Sequence, residues 1–314
     1  NGFNSPGRTL PAHKEISMTL SPWRYLTLLA LVLSPMHALA SSGTIEQAQA
    51  EIEAANNAAM QAAITGPTDI IVADQAHLDL PAEMAYIPRS QAQRLLQAID
   101  GQGDDKVQGM IMPTSEEEDW MLLVSYEPAG YIKDDDAKEW DPDDMLNSLR
   151  EGTEAANDER KARGIDELEV VGWAEVPAYT ASNHQLRWSA SARTKGSQDP
   201  NYTINYNTLA LGREGYVSMN MVTDIQNVER LKPVAAELMS ALKFDAGKNY
   251  SDFVEGTDKV AEYGLAALVA GVAAKKLGFS ALIAAFGLKF AKVILVALAG
   301  GAAVLGRLFK RNKG

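Results

Sequence analysis

The chain has 314 residues, a formal net charge of −12, no cysteine and four histidines. This length allows one or two domains with an ample core, and the negative charge argues against a nucleic-acid binder. The lack of cysteine excludes disulfides, thiolate zinc sites and a cysteine nucleophile, and four histidines leave little scope for imidazole chemistry.

Charge is unevenly distributed along the chain. Residues 1–40 carry a net charge of +2, residues 41–257 carry −21, and residues 258–314 carry +7. An acidic body between two apolar, basic ends is typical of a protein tethered to a membrane.

The N-terminal region predicts a secretory signal peptide over residues 18–40. Arg24 supplies a weak basic region, residues 25–33 are apolar, and Ala38-Leu39-Ala40 forms a small-residue cleavage site. The apolar run is too short to span a bilayer, although an uncleaved anchor is the alternative. Residues 1–17 are expected to be non-native upstream residues.

The first part of the body predicts helices and strands of modest length. Residues 41–65 are rich in Ala, Gln and Glu and end at Gly66-Pro67, which predicts a helical arm with weak core packing. Apolar alternation and turn residues then predict a short helix among four strands. The strands are 70–72, 76–80, 107–112 and 120–126, and the helix is 89–99.

Six aspartates lie close together between Tyr126 and Val171. Clustered carboxylate oxygens suit a calcium ion, but the alternating spacing and central glycine of a calcium loop are missing. Helix capping explains the pattern better, because Asp141 is a good N-cap, Pro142 suits the first helical position, and the helix can run to Arg163. The carboxylates, which stay weak candidates for a metal site, are Asp134, Asp135, Asp136, Asp141, Asp143 and Asp144.

Four strand patterns and a helix complete the body. Short connections between the strands favour an antiparallel meander. Residues 224–244 predict a helix in which Pro233 marks either a bend or a late start. We therefore predict an α+β fold, an antiparallel sheet with covering helices, for an acidic extracytoplasmic domain at 66–257. The four predicted strands are 168–176, 184–192, 202–211 and 216–222.

The C-terminal region predicts a membrane anchor. Residues 290–309 are apolar with charges only near the ends, and the basic residues of 310–314 should remain in the cytoplasm. The preceding part of 258–309 is interpreted as a juxtamembrane helix, with a helical hairpin as the alternative. Signal peptide and anchor together predict a single-pass envelope protein whose body lies outside the cytoplasm.

Several ordered motifs resemble the DUF2167 family of uncharacterised bacterial membrane-anchored proteins. The resemblance covers roughly residues 66 to 309 and implies topology and fold but no activity. It also implies a Gram-negative inner membrane, with a periplasmic body. Family members carry Tyr-Asp where this chain has Tyr179-Thr180. The motifs are Tyr131–Ala137 (YIKDDDA), Glu151–Asn157 (EGTEAAN), Gly172–Glu175 (GWAE), His184–Trp188 (HQLRW), Asn205–Asn207 (NYN) and Leu211–Arg213 (LGR).

The meander carries the remaining candidates for chemistry. His184 could centre a hydrolase, but the sequence has no Gly-x-Ser-x-Gly elbow or other nucleophile motif. Alternation predicts His184 and Trp188 on an aromatic face and polar side chains on the other face, for which a solvated sheet surface is the simplest explanation. A second hypothesis is a ligand or partner patch whose members are Arg187, Arg193, Asn205, Asn207, Arg213 and Trp188.

These patterns favour a non-enzymatic binding or scaffold module over an enzyme. A hydrolase centred on His184 is the alternative, and a cation sensor using the carboxylates of 134–144 is the third hypothesis. No cofactor is expected. The expected partners are the membrane and an envelope protein or small ligand, with no nucleic acid.

Overall fold

The computed structural model describes residues 42–100, 104–115, 118, 120–162, 166–198 and 202–269. The predicted signal peptide and the predicted anchor at 290–309 lie outside these residues. The helices within the described ranges are α1 (Ser42–Ala62), α2 (Arg89–Asp100), α3 (Pro142–Ala162), α4 (Val228–Ala241) and α5 (Leu265–Val269).

Eleven strands form two antiparallel sheets within the same ranges, which confirms the predicted α+β class. The strands are β1 (Ile64–Thr65), β2 (Thr68–Val72), β3 (Ala76–Leu80), β4 (Met84–Pro88), β5 (Val107–Pro113), β6 (Met121–Glu127), β7 (Leu168–Thr180), β8 (Gln185–Thr194), β9 (Thr203–Leu211), β10 (Tyr216–Asp224) and β11 (Leu242–Phe244).

The large sheet has the strand order β1-β4-β5-β6-β10-β9-β8-β7, and the small sheet has the order β11-β3-β2. The predicted meander β7-β8-β9-β10 is present as a run of antiparallel neighbours. β10 then pairs with β6, and this contact joins the meander to the earlier strands. β4 was not predicted, because its four buried residues Met84, Ala85, Tyr86 and Ile87 show no alternation.

One face of the large sheet, called here the front face, is covered by α4 and the small sheet. Strand residues such as Tyr206 and Met219 pack there against Leu231 and Leu238 of α4 and against Leu78 of β3. All five are almost fully buried. This cluster is the largest continuous apolar core among the described residues.

The opposite face, the back face, is covered in two separate places. At one end, α1 and α2 pack on β4 and β5 through residues that include Ile52, Ala55 and Leu96. At the other end, Trp188 and Leu209 pack with α5 and the loops around residues 129–140 and 250. The packing of α1 differs from the expectation of a weakly packed arm, since Ala55 is fully buried.

The edge of the large sheet at β7 is covered by α3. The side-chain amide of Asn157 donates to the Leu168 carbonyl and accepts from the Leu168 N–H, each at 2.9 Å. Arg150 donates to the carbonyls of Val170 and Val171. Side chains thus satisfy backbone groups that an edge strand would otherwise expose.

The packed body continues beyond residue 257, where the sequence placed its boundary. Leu265, Leu268 and Val269 of α5 are buried against the back face. Among the described residues, no helix combines the length and the apolar character needed to cross a membrane.

Candidate functional site

The predicted catalytic candidate, His184, lies in a small polar cluster at the end of the β7–β8 hairpin. Its backbone φ is +52°, a left-handed conformation that is uncommon for a residue with a side chain. Its Nδ1 lies 3.0 Å from the Tyr179 hydroxyl and 3.7 Å from Asp134 Oδ2. The Tyr179 hydroxyl donates to the same Asp134 oxygen at 2.6 Å. The hairpin therefore places His184 and Tyr179 against the 131–137 motif.

This hydrogen-bond arrangement selects one tautomer of the imidazole. Burial and the hydrogen bond to Asp134 raise the pKa of Tyr179, so its hydroxyl stays protonated. This hydroxyl donates its hydrogen bond to the Asp134 carboxylate. The Tyr179 oxygen then accepts from His184, which requires a proton on Nδ1. In the neutral ring Nε2 carries a lone pair, and the side chain is 31% exposed. His184 can therefore act as a hydrogen-bond acceptor or a base.

The machinery of a nucleophilic hydrolase is incomplete at this position. Within the described part of the chain, no serine or threonine hydroxyl forms a hydrogen bond with His184. A nucleophile within hydrogen-bond reach of its base is the signature of that chemistry. The raised pKa of Tyr179 also disfavours a phenolate nucleophile at neutral pH.

Aromatic rings continue the cluster on its other side. The His184 ring lies 4.1 Å from the Tyr250 ring, Tyr250 stacks on Tyr131 at 4.4 Å, and Tyr131 stacks on Phe253 at 3.8 Å. The Tyr250 hydroxyl donates to the Ile132 carbonyl at 2.7 Å. The rings hold the 131–132 segment against residues 250–253.

The acidic residues serve as helix caps and structural acceptors. Asp141 Oδ1 accepts from the Asp143 N–H at 2.8 Å, so Asp141 caps α3 as its sequence position predicted. Asp136 accepts from the backbone N–H groups of Leu265 and Ala266, at 3.2 and 3.0 Å, at the start of α5. Asp135 lies in a short 3-10 helix, and Asp143 and Asp144 occupy the first turn of α3. Across the residues that the structure describes, no three acidic or histidine side chains form a group suited to a metal ion.

The predicted arginine patch does not assemble as one surface. Arg187 pairs with Glu175 at 2.7 Å, Arg193 pairs with Glu169, and both lie on the front face. Arg213 lies in the β9–β10 turn and binds Asp258 with two hydrogen bonds of 2.7 and 2.8 Å. These hydrogen bonds lower the pKa of Asp258. Each guanidinium is thus occupied by a carboxylate of the same chain.

The other members of the predicted patch lie on the opposite side of the sheet. The register pairs Trp188 with Asn207 and Ala190 with Asn205, which places both asparagines on the back face. The predicted common face of Arg187 and the asparagines is therefore wrong. Trp188 is only 3% exposed and belongs to the core.

Sequence reasoning missed several residues of these sites. Tyr179, Tyr250 and Phe253 were not candidates, nor was Asn220, which pairs with Asn207 across β9 and β10. A usable signal existed, because Asp134 and His184 belong to two separate motifs of the family resemblance. Two distant motifs of one family are good candidates for a shared contact.

Fold and site define an α+β protein whose polar candidate residues mainly bind other groups of the same chain. The chain belongs to DUF2167, a family of proteins of unknown function, whose model matches residues 64–299. Comparison with curated protein sequences finds no match. Among solved structures, the solution structure of cyanobacterial PsbP (CyanoP) from Synechocystis sp. PCC 6803 is similar with a TM-score of 0.32 and 10% identity, over 58% of this chain and 91% of that chain.

Proposed function

We propose that this protein is a membrane-anchored protein of the bacterial cell envelope whose body is a non-enzymatic binding or scaffold module. The signal peptide at 18–40 directs export, and residues 290–309 cross the inner membrane once. The body then lies in the periplasm and residues 310–314 in the cytoplasm. Its partners are the membrane and an envelope protein or small ligand. The acidic body disfavours nucleic acid.

The observation that carries this proposal is the set of contacts that fix residues 258–269 to the body. The backbone N–H of Tyr131 donates to the Lys259 carbonyl, and the Tyr131 carbonyl accepts from the Ala261 N–H, both at 2.8 Å. Asp136 caps α5, and Arg213 holds Asp258. The predicted anchor at 290–309 lies C-terminal to α5 in the sequence, and these contacts suit a body packed against the segment that leads towards it.

The polar side chains support a scaffold more than an enzyme. A catalytic residue must reach substrate, whereas the carboxylates of Asp134, Asp136 and Asp141 already accept hydrogen bonds from the protein. The same contacts disfavour the cation-sensor hypothesis. Calorimetry with calcium tests that hypothesis, and sub-millimolar binding would revive it.

One observation keeps an enzyme as the second candidate. The Tyr179 and Asp134 contacts orient the His184 imidazole with Nε2 available as a base. A substrate that brings its own nucleophile, such as water, would need no serine. His184→Ala separates the two hypotheses, because it should abolish an enzyme's activity and leave a scaffold's partners bound.

Anchoring is tested by fractionation of the full-length chain and of a chain that ends at residue 269. We expect the full-length protein to stay in inner-membrane vesicles after an alkaline wash and to be cut by protease added to spheroplasts. The truncated chain should be released into the periplasm. A full-length protein that washes off, or that resists protease in spheroplasts, contradicts the proposed topology.

The scaffold is tested by crosslinking in the native membrane. We expect one stoichiometric partner to be captured by wild type and by His184→Ala alike. Asn183→Ala, an exposed substitution in the same hairpin turn, is the matched control. Loss of a partner in His184→Ala alone would place binding at the His184 cluster. A lack of any partner would favour a small ligand or a substrate.

A further inference from the structure

One edge of the small sheet is a strand without a partner on its outer side. The sheet has the order β11-β3-β2, so β2 pairs with β3 on one side and with no described strand on the other. The edge of the large sheet at β7 differs, because Asn157 and Arg150 of α3 bind its backbone groups. An unpaired edge strand is a template to which another strand can add through backbone hydrogen bonds.

The backbone of β2 directs the groups of Asp69 and Ile71 outwards. The Val72 carbonyl points to the β3 side, where it accepts at 3.0 Å from the N–H of Gln75, the residue before β3. Consecutive residues of an antiparallel strand direct their N–H and C=O groups to opposite sides, so those of Asp69 and Ile71 point away from β3. Among the described residues, no backbone group binds them there. An added strand would therefore form its hydrogen bonds with Asp69 and Ile71.

The two rows of side chains on β2 differ in character. Ile70 and Val72 form the inner row and are buried in the front-face core. Asp69 and Ile71 form the outer row, and the Ile71 side chain is 59% exposed. A strand that extends this sheet needs apolar side chains in the inner row. Side chains with a polar head on an apolar stem suit the outer row, because the stem can cover Ile71.

Charge determines which strand suits the outer row. Asp69 and Asp245 lie beside His77, and Asp79, which is opposite Asp69, binds Lys243 at 2.7 Å. Carboxylates therefore outnumber the lysine on this surface, and residues 41–257 carry a net charge of −21. The same charges disfavour a second copy of this acidic body along the edge. They favour a strand that carries lysine or arginine opposite Asp69.

We propose that the β2 edge docks an extended segment of an envelope protein in which apolar and basic residues alternate. The segment adds to the small sheet as a further strand. Its apolar residues lie beside Ile70 and Val72, and its basic residues lie beside Asp69 and Ile71. This inference rests on the proposed scaffold function and names the chemistry of the partner. It involves no contact with the His184 cluster.

The probe is a fluorescent octapeptide of alternating valine and lysine, blocked at both ends. It is titrated with the full-length chain in a nonionic detergent, and binding is measured by fluorescence anisotropy. We expect a Kd of about 0.1 mM or tighter. The matched peptide of alternating valine and glutamate should bind about tenfold more weakly, because its charges repel Asp69. A lack of binding by the valine–lysine peptide overturns the proposal.

Backbone methylation distinguishes strand addition from charge attraction alone. The lysines of the docked peptide lie opposite Asp69 and Ile71, so their N–H groups point to β2, whereas those of the valines point to solvent. N-methylation of the lysines should therefore abolish binding, and N-methylation of the valines should preserve it. Equal affinities of the two methylated peptides would show that no strand is added at this edge.

Substitutions locate the docked strand. Ile71→Pro removes an outward N–H but no hydrogen bond to β3, and proline suits such an edge position, so binding should weaken about tenfold. Ile71→Ala keeps this N–H and should still bind. Asp69→Lys should reverse the preference between the lysine and glutamate peptides, whereas Asp158→Lys, at an exposed position of α3, should not. Wild-type binding by Ile71→Pro and Asp69→Lys alike would overturn the site.

Sedimentation of the same proteins tests the other occupant of the edge. A wild-type dimer that Ile71→Pro converts to a monomer would overturn the proposal in favour of a second copy. The fractionation and crosslinking experiments decide anchoring and scaffolding independently. A partner that is captured equally by wild type and by Ile71→Pro would contradict the β2 site and leave the proposed function standing.

Discussion

The two faces of the large sheet are closed by different kinds of interaction. On the front face, one apolar cluster runs from the strands into α4 and the small sheet. On the back face there are two smaller apolar clusters, and the half-buried Asn220 donates a hydrogen bond to Asn207 across β9 and β10. The difference indicates that the front face supplies the larger share of the apolar burial that stabilises the fold.

The largest effect is expected on the front face. Leu231 of α4 is fully buried, and Leu231→Ala should lower the free energy of unfolding by about 2–5 kcal/mol because it removes apolar burial and leaves a cavity. Urea denaturation followed by circular dichroism measures the loss. The matched apolar control is Ile71→Ala, whose side chain is 59% exposed and whose loss should cost no more than about 0.5 kcal/mol. Equal effects of the two substitutions would contradict the assignment of the main core.

A smaller loss is expected where α3 covers the sheet edge on the back-face side. Asn157→Ala removes both hydrogen bonds to Leu168 and leaves its N–H and carbonyl unpaired, which should cost about 1–3 kcal/mol. The same denaturation assay gives the value. Glu151→Ala, an exposed position on the same helix, should be close to neutral. A neutral Asn157→Ala would mean that α3 does not hold β7 through this amide.

The sequence predicted local features of both faces well. The Asp141-Pro142 cap and the strands of the meander follow from neighbouring residues and from periodicity. α1 was underestimated, because an alanine-rich stripe is weakly apolar yet packs closely against α2. Small side chains hide such contacts from a hydrophobicity pattern.

The sequence could not predict how strands combine. Alternation fixes which residues share a face within β8 or within β9, but the pairing register decides which of those faces coincide. The register between β8 and β9 places Arg187 and Asn207 on opposite faces of the large sheet, whereas the predicted patch required them on the same face. The β6–β10 pairing and the contact of Asp134 with Tyr179 likewise join residues far apart in the chain. The candidate site therefore became visible only in three dimensions.

The hydrogen-bond chain at His184 predicts a spectroscopic change with a modest change in stability. Tyr179→Phe removes the hydroxyl between Asp134 and His184, and because both groups are partly exposed, the loss should be about 1 kcal/mol. In wild type, nitrogen NMR of the neutral ring should show the proton on Nδ1. In Tyr179→Phe we expect a mixture of tautomers.

The His77 signals of the same spectrum provide the control, since His77 lies on the small sheet and should not change. A wild-type ring with its proton on Nε2 would contradict the arrangement. It would also remove the base required by the enzyme hypothesis. An unchanged tautomer in Tyr179→Phe would show that another contact orients the ring.

The smallest effect is expected on the outer surface of the small sheet, whose inner surface belongs to the front-face core. His77 Nδ1 lies 2.6 Å from Asp69 Oδ2, and Nε2 lies 3.4 Å from Asp245 Oδ1. The hydrogen bond with Asp69 is the main cause that raises the pKa of His77 above 6.5, and the charges of Asp245 and Asp79 add to it, although desolvation opposes the shift. Protonated His77 therefore binds its neighbours better in the folded state than in the unfolded state.

The raised pKa determines the direction of the pH dependence. The contribution of His77 to stability is fully present below pH 6.5 and is lost as pH rises through the higher pKa of the folded state. The difference in unfolding midpoint between wild type and His77→Asn should therefore be largest below pH 6.5 and shrink at higher pH. Because this histidine is exposed, the difference should be small beside that of Leu231→Ala. A difference that grows with pH would show that the pKa of His77 is lowered, not raised, in the folded state. A difference as large as that of Leu231→Ala would show that surface charge, and not apolar burial, stabilises the front-face side of the fold.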